Sequence, residues 1–141
     1  MSDMNIGNTS ITFSKKVKNL GVYFDSSLSM SAHVSQTAWC VYSELRKIKR
    51  IRDLISTDIA KMLVSSLVLS RLDYCNSTLA DVTKENINKL QVVQNYSARI
   101  VLKKSKRESA SPLLRSLHWL PVEKRIDYKI AILCYKCVCI T

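Results

Sequence analysis

The stretch SAHVSQTAWCVYSELRKIKRIR, residues 31–52, decides the fold. Val34, Ala38, Val41, Leu45 and Ile48 recur at alternating spacings of four and three, which lays them along one stripe of an α-helix. The opposite face ends in Arg46, Lys47, Lys49, Arg50 and Arg52. Those cations fall in the last turns, where the carbonyl end of the helix dipole favours positive charge. A long amphipathic helix with a basic end is therefore expected.

Downstream, Ser56 before Thr57-Asp58 is a helix start, because a Ser side chain accepts from exposed amides and Asp suits the positive end of the dipole. Ile59, Met62, Leu63, Ser66, Leu67 and Ser70 mark one broad face of this second helix. Residues 62–69 are apolar nearly all round, as in a central helix contacted on several sides, so Met62, Leu63 and Leu67 are expected in one core with Ile130. Residues 83–86 open a third helix with Ile87, Leu90, Val93 or Gln94, Ser97 and Ile100 or Val101 on one side. Residues 103–111 read as an exposed, basic, mobile loop. Ser111-Pro112 restarts a short helix with Pro in its tolerated first position, and Pro121 does the same for a last helix striped by Val122, Ile126, Ile130, Leu133 and Cys137. Upstream, Ile11-Thr12-Phe13 and residues 17–24 are strand candidates around a turn at Ser14-Lys15-Lys16, which predicts a short hairpin. A Ser-rich connection covers residues 25–31. The chain thus divides into an N-terminal segment with its hairpin, 1–24, and a helical domain, 25–141: mainly α, a hairpin followed by a bundle of about four helices.

Composition agrees with that reading. In 141 residues, 47% of them hydrophobic, there are only 2 Gly and 2 Pro, too few turn-formers for a sandwich or barrel of many short strands. The net charge is +11, from 22 Lys plus Arg against 11 Asp plus Glu, so nucleic acid is the expected partner. A membrane is not, because no apolar run approaches the roughly 20 residues needed to cross a bilayer. The first eight residues lack the apolar stretch of a secretory signal. The 5 cysteines are odd in number and unevenly spread, which suits a reducing compartment and small apolar core residues better than a disulfide framework. An intracellular chain, nuclear or cytoplasmic, is expected.

Few residues suggest chemistry. Polymerase-type catalysis needs paired carboxylates on two metal ions about 3.5–4 Å apart. No Asp-Asp pair occurs, and Asp25, Asp53, Asp58, Asp73 and Asp81 stand alone. Cys134, Cys137 and Cys139 have one metal-like spacing but lack the four ligands of a structural zinc site, so helix-end packing is the better reading. His33 and His118 are lone histidines, His118 expected as a packed or hydrogen-bonded residue beside Trp119, itself expected as an anchor in the core or at a groove, with base stacking the lesser reading. Arg71 and Asp73 are close enough to share a local ion pair or capping network. The two dense cation clusters carry more weight. Arg46, Lys47, Lys49 and Arg50, with Lys103, Lys104, Lys106 and Arg107, are the candidate phosphate contacts, against the blander alternative of a solvated face.

Four phrases then fall in a fixed order: VKNLGV (17–22), SRLDYCNS (70–77), LQVVQN (90–95) closing on Ala98-Arg99, and LHWLPV (117–122) followed by Arg125-Ile126. Together they resemble the thumb that follows the catalytic palm in reverse transcriptases of non-LTR, LINE-type, jockey-like retrotransposons, over nearly the whole chain. The resemblance implies a thumb-like helical fold joined to the palm by the hairpin, with Leu20-Gly21-Val22 as a turn near the primer terminus. It implies a clamp on the template–primer duplex that reads an A-like minor groove by backbone and shape, without base sequence. RNA or an RNA–DNA duplex is then the partner, and a palm domain of a longer parent protein a second one. No catalysis is expected of this chain alone, and no cofactor, since the Mg²⁺ ions belong to the parent's palm. Two rival readings remain open: a host-recruited helical protein-interaction module, and a nonfunctional element remnant.

Overall fold

The structure is a computed structural model and describes residues 4–6, 9–11 and 14–139. The fold is mainly helical with antiparallel hairpin structure at the N-terminus, as expected. The hairpin is placed differently. Strand β1 (Met4–Ile6) pairs with β2 (Thr9–Ile11), and β3 (Lys16–Asn19) pairs with β4 (Val22–Asp25), Lys16 opposite Asp25 and Asn19 opposite Val22. Residues 17–24 are therefore two strands folded on each other, where one strand was expected. The cause is Leu20-Gly21, whose φ values of 46° and 84° make the two-residue turn that matches strand twist. Of the strand expected at 11–13, Ile11 belongs to β2, and Thr12 and Phe13 lie outside the described residues.

The Tyr74 hydroxyl donates to the Leu20 carbonyl at 2.6 Å, fastening this turn to the helices, and Val22 is buried in the main core. At the far end of β4 the Asp25 carboxylate accepts from the Ser27 and Ser29 amides at 3.2 and 2.9 Å and from both hydroxyls. The Ser27 hydroxyl has the largest influence, followed by the Ser29 amide, and these donors lower the Asp25 pKa to about 2. Because the folded pKa lies below the unfolded value, this stabilisation is present above about pH 4 and is lost as pH falls through about 2. An NMR titration of Asp25 should give a midpoint near 2, and Asp25→Asn should remove that group's share of the acid dependence. A midpoint at the ordinary carboxylate value would contradict the serine cage.

Helix α1 (Ser31–Ile51) buries Val34, Val41, Leu45 and Ile48, with Ala38 packed at the core's edge, the stripe expected from the spacing. Helix α4 (Lys84–Val101) lies beside it in the same direction. The Asn86 amide donates to the Ser31 hydroxyl at 2.8 Å near both starts, the Tyr42 and Tyr96 rings meet at 5.9 Å midway, and Arg52 bonds to Ile100 at both ends. On α4, Leu90, Val93, Gln94, Ser97 and Val101 are fully buried.

Between them, α2 (Thr57–Val64) passes through a π turn (Ser65–Leu69) into α3 (Ser70–Asp73). Ser56 caps the start, accepting from the Ile59 amide at 3.3 Å. Here the expected core face is corrected. Met62 is 69% and Leu67 38% exposed, while Ala60, Val64, Val68, Leu69 and Leu72 are buried. A run that is apolar all round does not reveal which face turns inward, and the wider π turn keeps positions four apart in register. Leu63 and Ile130 do pack against the core, half-buried. Leu67→Ala should consequently cost less than about 1 kcal/mol in a denaturation titration, as near-surface substitutions do. A cost of several kcal/mol would restore Leu67 to the core.

Helix α5 (Ala110–Ser116) begins two residues before the expected start, so Pro112 sits third in the first turn, where a missing amide hydrogen still costs little. Helix α6 (Val122–Cys139) buries Val122 and Ile126 and half-buries Ile130. Leu133 is 43% exposed and Cys137 is exposed, so the expected stripe is covered only over the first half of the helix. Most of the cysteines are likewise not core residues: Cys75 packs half-buried against the core, Cys40 is half-buried, and Cys134, Cys137 and Cys139 are exposed.

Candidate nucleic-acid interface

Because α1 and α4 run in the same direction, their carbonyl ends finish side by side. Arg52 pins them together. It is 5% exposed, and its guanidinium donates to the carbonyls of Ile100 at 3.0 Å, Val101 at 2.6 Å and Ile55 at 2.9 Å, and to the Thr57 hydroxyl at 3.1 Å. Arg52 is thus a structural residue turned inward, whereas its basic neighbours in sequence suggested one more solvent-facing cation.

Helix α4 ends on Lys103 in the left-handed conformation, φ 52°, with the Lys104 amide reaching back to the Arg99 carbonyl at 2.9 Å and the Lys103 amide to Ile100 at 3.3 Å. This double bond to the last carbonyls normally recruits glycine. The following segment is tied down rather than loose: Arg99 donates to the Glu108 carbonyl at 3.0 Å, and the Glu108 carboxylate accepts from the Ser105 amide at 3.3 Å. The chain therefore folds back over the ends of α1 and α4, and the two basic clusters, far apart in sequence, meet.

They enclose a cleft of about 360 Å³ lined by Lys49, Tyr96, Arg99, Lys103, Lys104 and Lys106 among others. Beyond Tyr96 lies a second cleft of about 500 Å³, lined by Tyr42, Arg46, Lys49, Val92, Tyr96, Arg99 and Lys106. Of the eight cations expected at the site, Arg46, Lys49, Lys103, Lys104 and Lys106 line these clefts. Lys47, Arg50 and Arg107 are exposed but line neither. Lys47 pairs with Glu44 at 3.2 Å, Lys103 with Asp53 at 2.8 Å and Lys104 with Glu108 at 3.3 Å. The Lys103 ammonium holds the Asp53 carboxyl below its usual range. Arg46, Lys49 and Lys106 form no ion pair among the described residues, and Arg99, which lines both clefts, bonds only to a carbonyl, so these four carry uncompensated charge at the site.

Tyr42, Tyr96 and Arg99 were not among the expected contacts. Their signal was present: 42, 46, 49 and 92, 96, 99 share the spacing four then three, and on two helices running the same way such rows lie along one groove.

The four phrases have a different physical role. Tyr74 of the second holds Leu20 of the first. Asp73 pairs with Arg125 after the fourth phrase, Nε to Oδ1 at 2.8 Å with a second guanidinium bond alongside, while Arg71 faces Glu44 at 3.7 Å; the local Arg71–Asp73 pairing expected from sequence does not form. Gln94 of the third phrase donates to the Leu120 carbonyl at 2.8 Å, and Gln91 accepts from the Val122 amide at 2.9 Å, capping α6. Their polar side chains are the cross-links between elements.

Trp119 is an anchor in the core, 8% exposed, as expected. His118 instead is exposed, taking the left-handed position that ends α5, φ 58°. His33 is buried with Nδ1 unpartnered, and burial lowers its pKa. Among the described residues no group of three or more His, Cys, Asp or Glu could hold a metal ion, and no helix is long and apolar enough to cross a membrane. Comparison with protein-family models, with curated proteins and with solved structures finds no match.

Proposed function

We propose that this chain is the thumb-like part of a non-LTR retrotransposon RNA-directed DNA polymerase, an intracellular protein, and that it holds the template–primer duplex without catalysing synthesis. The observation that supports this most is the meeting of Arg46 and Lys49 with Lys103, Lys104 and Lys106 around one groove at the joined ends of α1 and α4. A scattered positive surface would give a weak, diffuse field; cations gathered along a groove concentrate it where a phosphate backbone can lie. Contacts of this kind go to phosphates and read no sequence. The sequence contains no adjacent Asp-Asp pair of the kind two-metal chemistry uses, so on this reading Mg²⁺ and catalysis belong to a palm domain of the parent protein.

Anisotropy titrations of labelled double-stranded RNA and RNA–DNA hybrid, in two unrelated sequences and several salt concentrations, test the reading. Affinity should fall steeply with salt and be the same for both sequences. Absent or salt-insensitive binding would count against it. Tyr128, Leu133, Tyr135 and Val138, exposed along α6, favour a second reading as a helical protein-interaction module. That reading takes the lead if the duplexes do not bind.

A further inference from the structure

We infer that the groove walled by Tyr42 and Tyr96 takes an unpaired nucleobase, so that the preferred ligand is a duplex continued by a single strand. The inference rests on the nucleic-acid reading of this face and specifies its ligand further.

Phosphates need cations on a surface and no cavity. The structure provides a concave site of about 500 Å³, within the range of small-ligand sites, whose walls are two phenol rings and the side chain of Val92. The rings lie 5.9 Å apart with planes inclined at 45°, and both are half-buried: each packs against the core and leaves part of its surface to the groove. Val92 is 48% exposed there. Neither tyrosine hydroxyl is hydrogen-bonded to another described residue, so it is the ring faces, not the hydroxyls, that the structure sets towards a base.

Around this aromatic and aliphatic floor stand Arg46, Lys49, Arg99 and Lys106. An apolar floor within a cationic rim suits a flat, apolar-faced group carried on an anionic backbone. The bases of a duplex are stacked on each other and cannot enter; an unpaired base can, and stacking on an aromatic side chain is tolerant of its identity. The adjoining cleft of about 360 Å³ shares Tyr96, Lys49, Arg99 and Lys106, so the backbone on one side of the bound base has cations to follow.

The test compares a blunt RNA duplex with the same duplex carrying a short single-stranded extension, and with one whose extension is abasic, each titrated against the full chain by anisotropy. The extension should tighten binding about tenfold, and the abasic extension, which adds the same phosphates, should give little of that gain. Tyr96→Phe should keep the ratio of extended to blunt affinity, and Tyr96→Leu, which retains apolar bulk without an aromatic face, should bring it towards one; circular dichroism checks that both variants fold. A 2-aminopurine in the extension should change its fluorescence on binding to the wild type and less so with Tyr96→Leu. Equal binding of blunt and extended duplexes, or an equal gain from the abasic extension, overturns the inference while leaving duplex binding intact. Failure of all three ligands to bind removes the reading it rests on.

Discussion

Replacing Arg52 by Leu should lower the unfolding free energy by about 3 to 5 kcal/mol, the largest stability effect expected of a single polar residue in the described structure. The guanidinium is 5% exposed and its donors are matched not by a carboxylate but by the carbonyls of Ile55, Ile100 and Val101 and by the Thr57 hydroxyl. Two of those carbonyls belong to the last turn of α4, where the dipole presents negative charge: that of Ile100 also accepts from the Lys103 amide at 3.3 Å, and that of Val101 depends on Arg52. Leu fills much of the volume but leaves the Ile55 and Val101 oxygens without partners among the described residues, at about 1 to 3 kcal/mol each, partly offset because a charge no longer has to be buried. Arg52→Lys should recover only part of the loss, since one ammonium cannot reproduce a planar fork spanning several carbonyls. Denaturant titration of the three proteins measures this. A change under about 1 kcal/mol for Arg52→Leu would mean that water replaces the guanidinium without strain.

Arg52 also shows where sequence reading stopped. The stripe on α1 was legible because Val34, Val41, Leu45 and Ile48 differ sharply from their polar neighbours. Arg52 looked like one more cation of the same run, because whether the next turn tightens and points a side chain inward depends on α4, far along the chain. Face assignment failed on α2 for the opposite reason: Met62, Leu63, Val64 and Leu67 differ too little from one another for periodicity to choose among them. Turn chemistry was hidden by composition. With only 2 glycines in the chain, left-handed positions fall to Leu20, Leu28, Met30, Cys75, Lys103 and His118, none of which announces a stop. The basic clusters were visible as composition, but their meeting was not. It depends on α1 and α4 running in the same direction and on the Lys103 turn, and with them came Tyr42, Tyr96 and Arg99.

The combined variant Arg46→Ala, Lys49→Ala, Lys106→Ala should weaken binding to every duplex about a hundredfold at physiological salt and flatten the log–log salt dependence by roughly 2 to 3. The size follows from counterion release: each neutralised phosphate contributes roughly 0.7 to 0.9 to the slope, and giving up three of them together amounts to about two decades relative to molar salt. These three are the right cations to remove because they line the groove and form no ion pair among the described residues. Lys103 and Lys104 already face Asp53 and Glu108, so replacing them exposes a carboxylate and mixes repulsion with diminished attraction. Lys47, paired with Glu44 and outside both clefts, is the matched control for surface charge. Folding should be spared, since all three side chains are exposed and none contributes to the core. Lys47→Ala should therefore shift affinity far less than any one of the three. If Lys47→Ala and the triple variant weaken binding by the same amount per charge, net charge alone governs association, and the groove between α1 and α4 loses its claim to be the duplex-binding face.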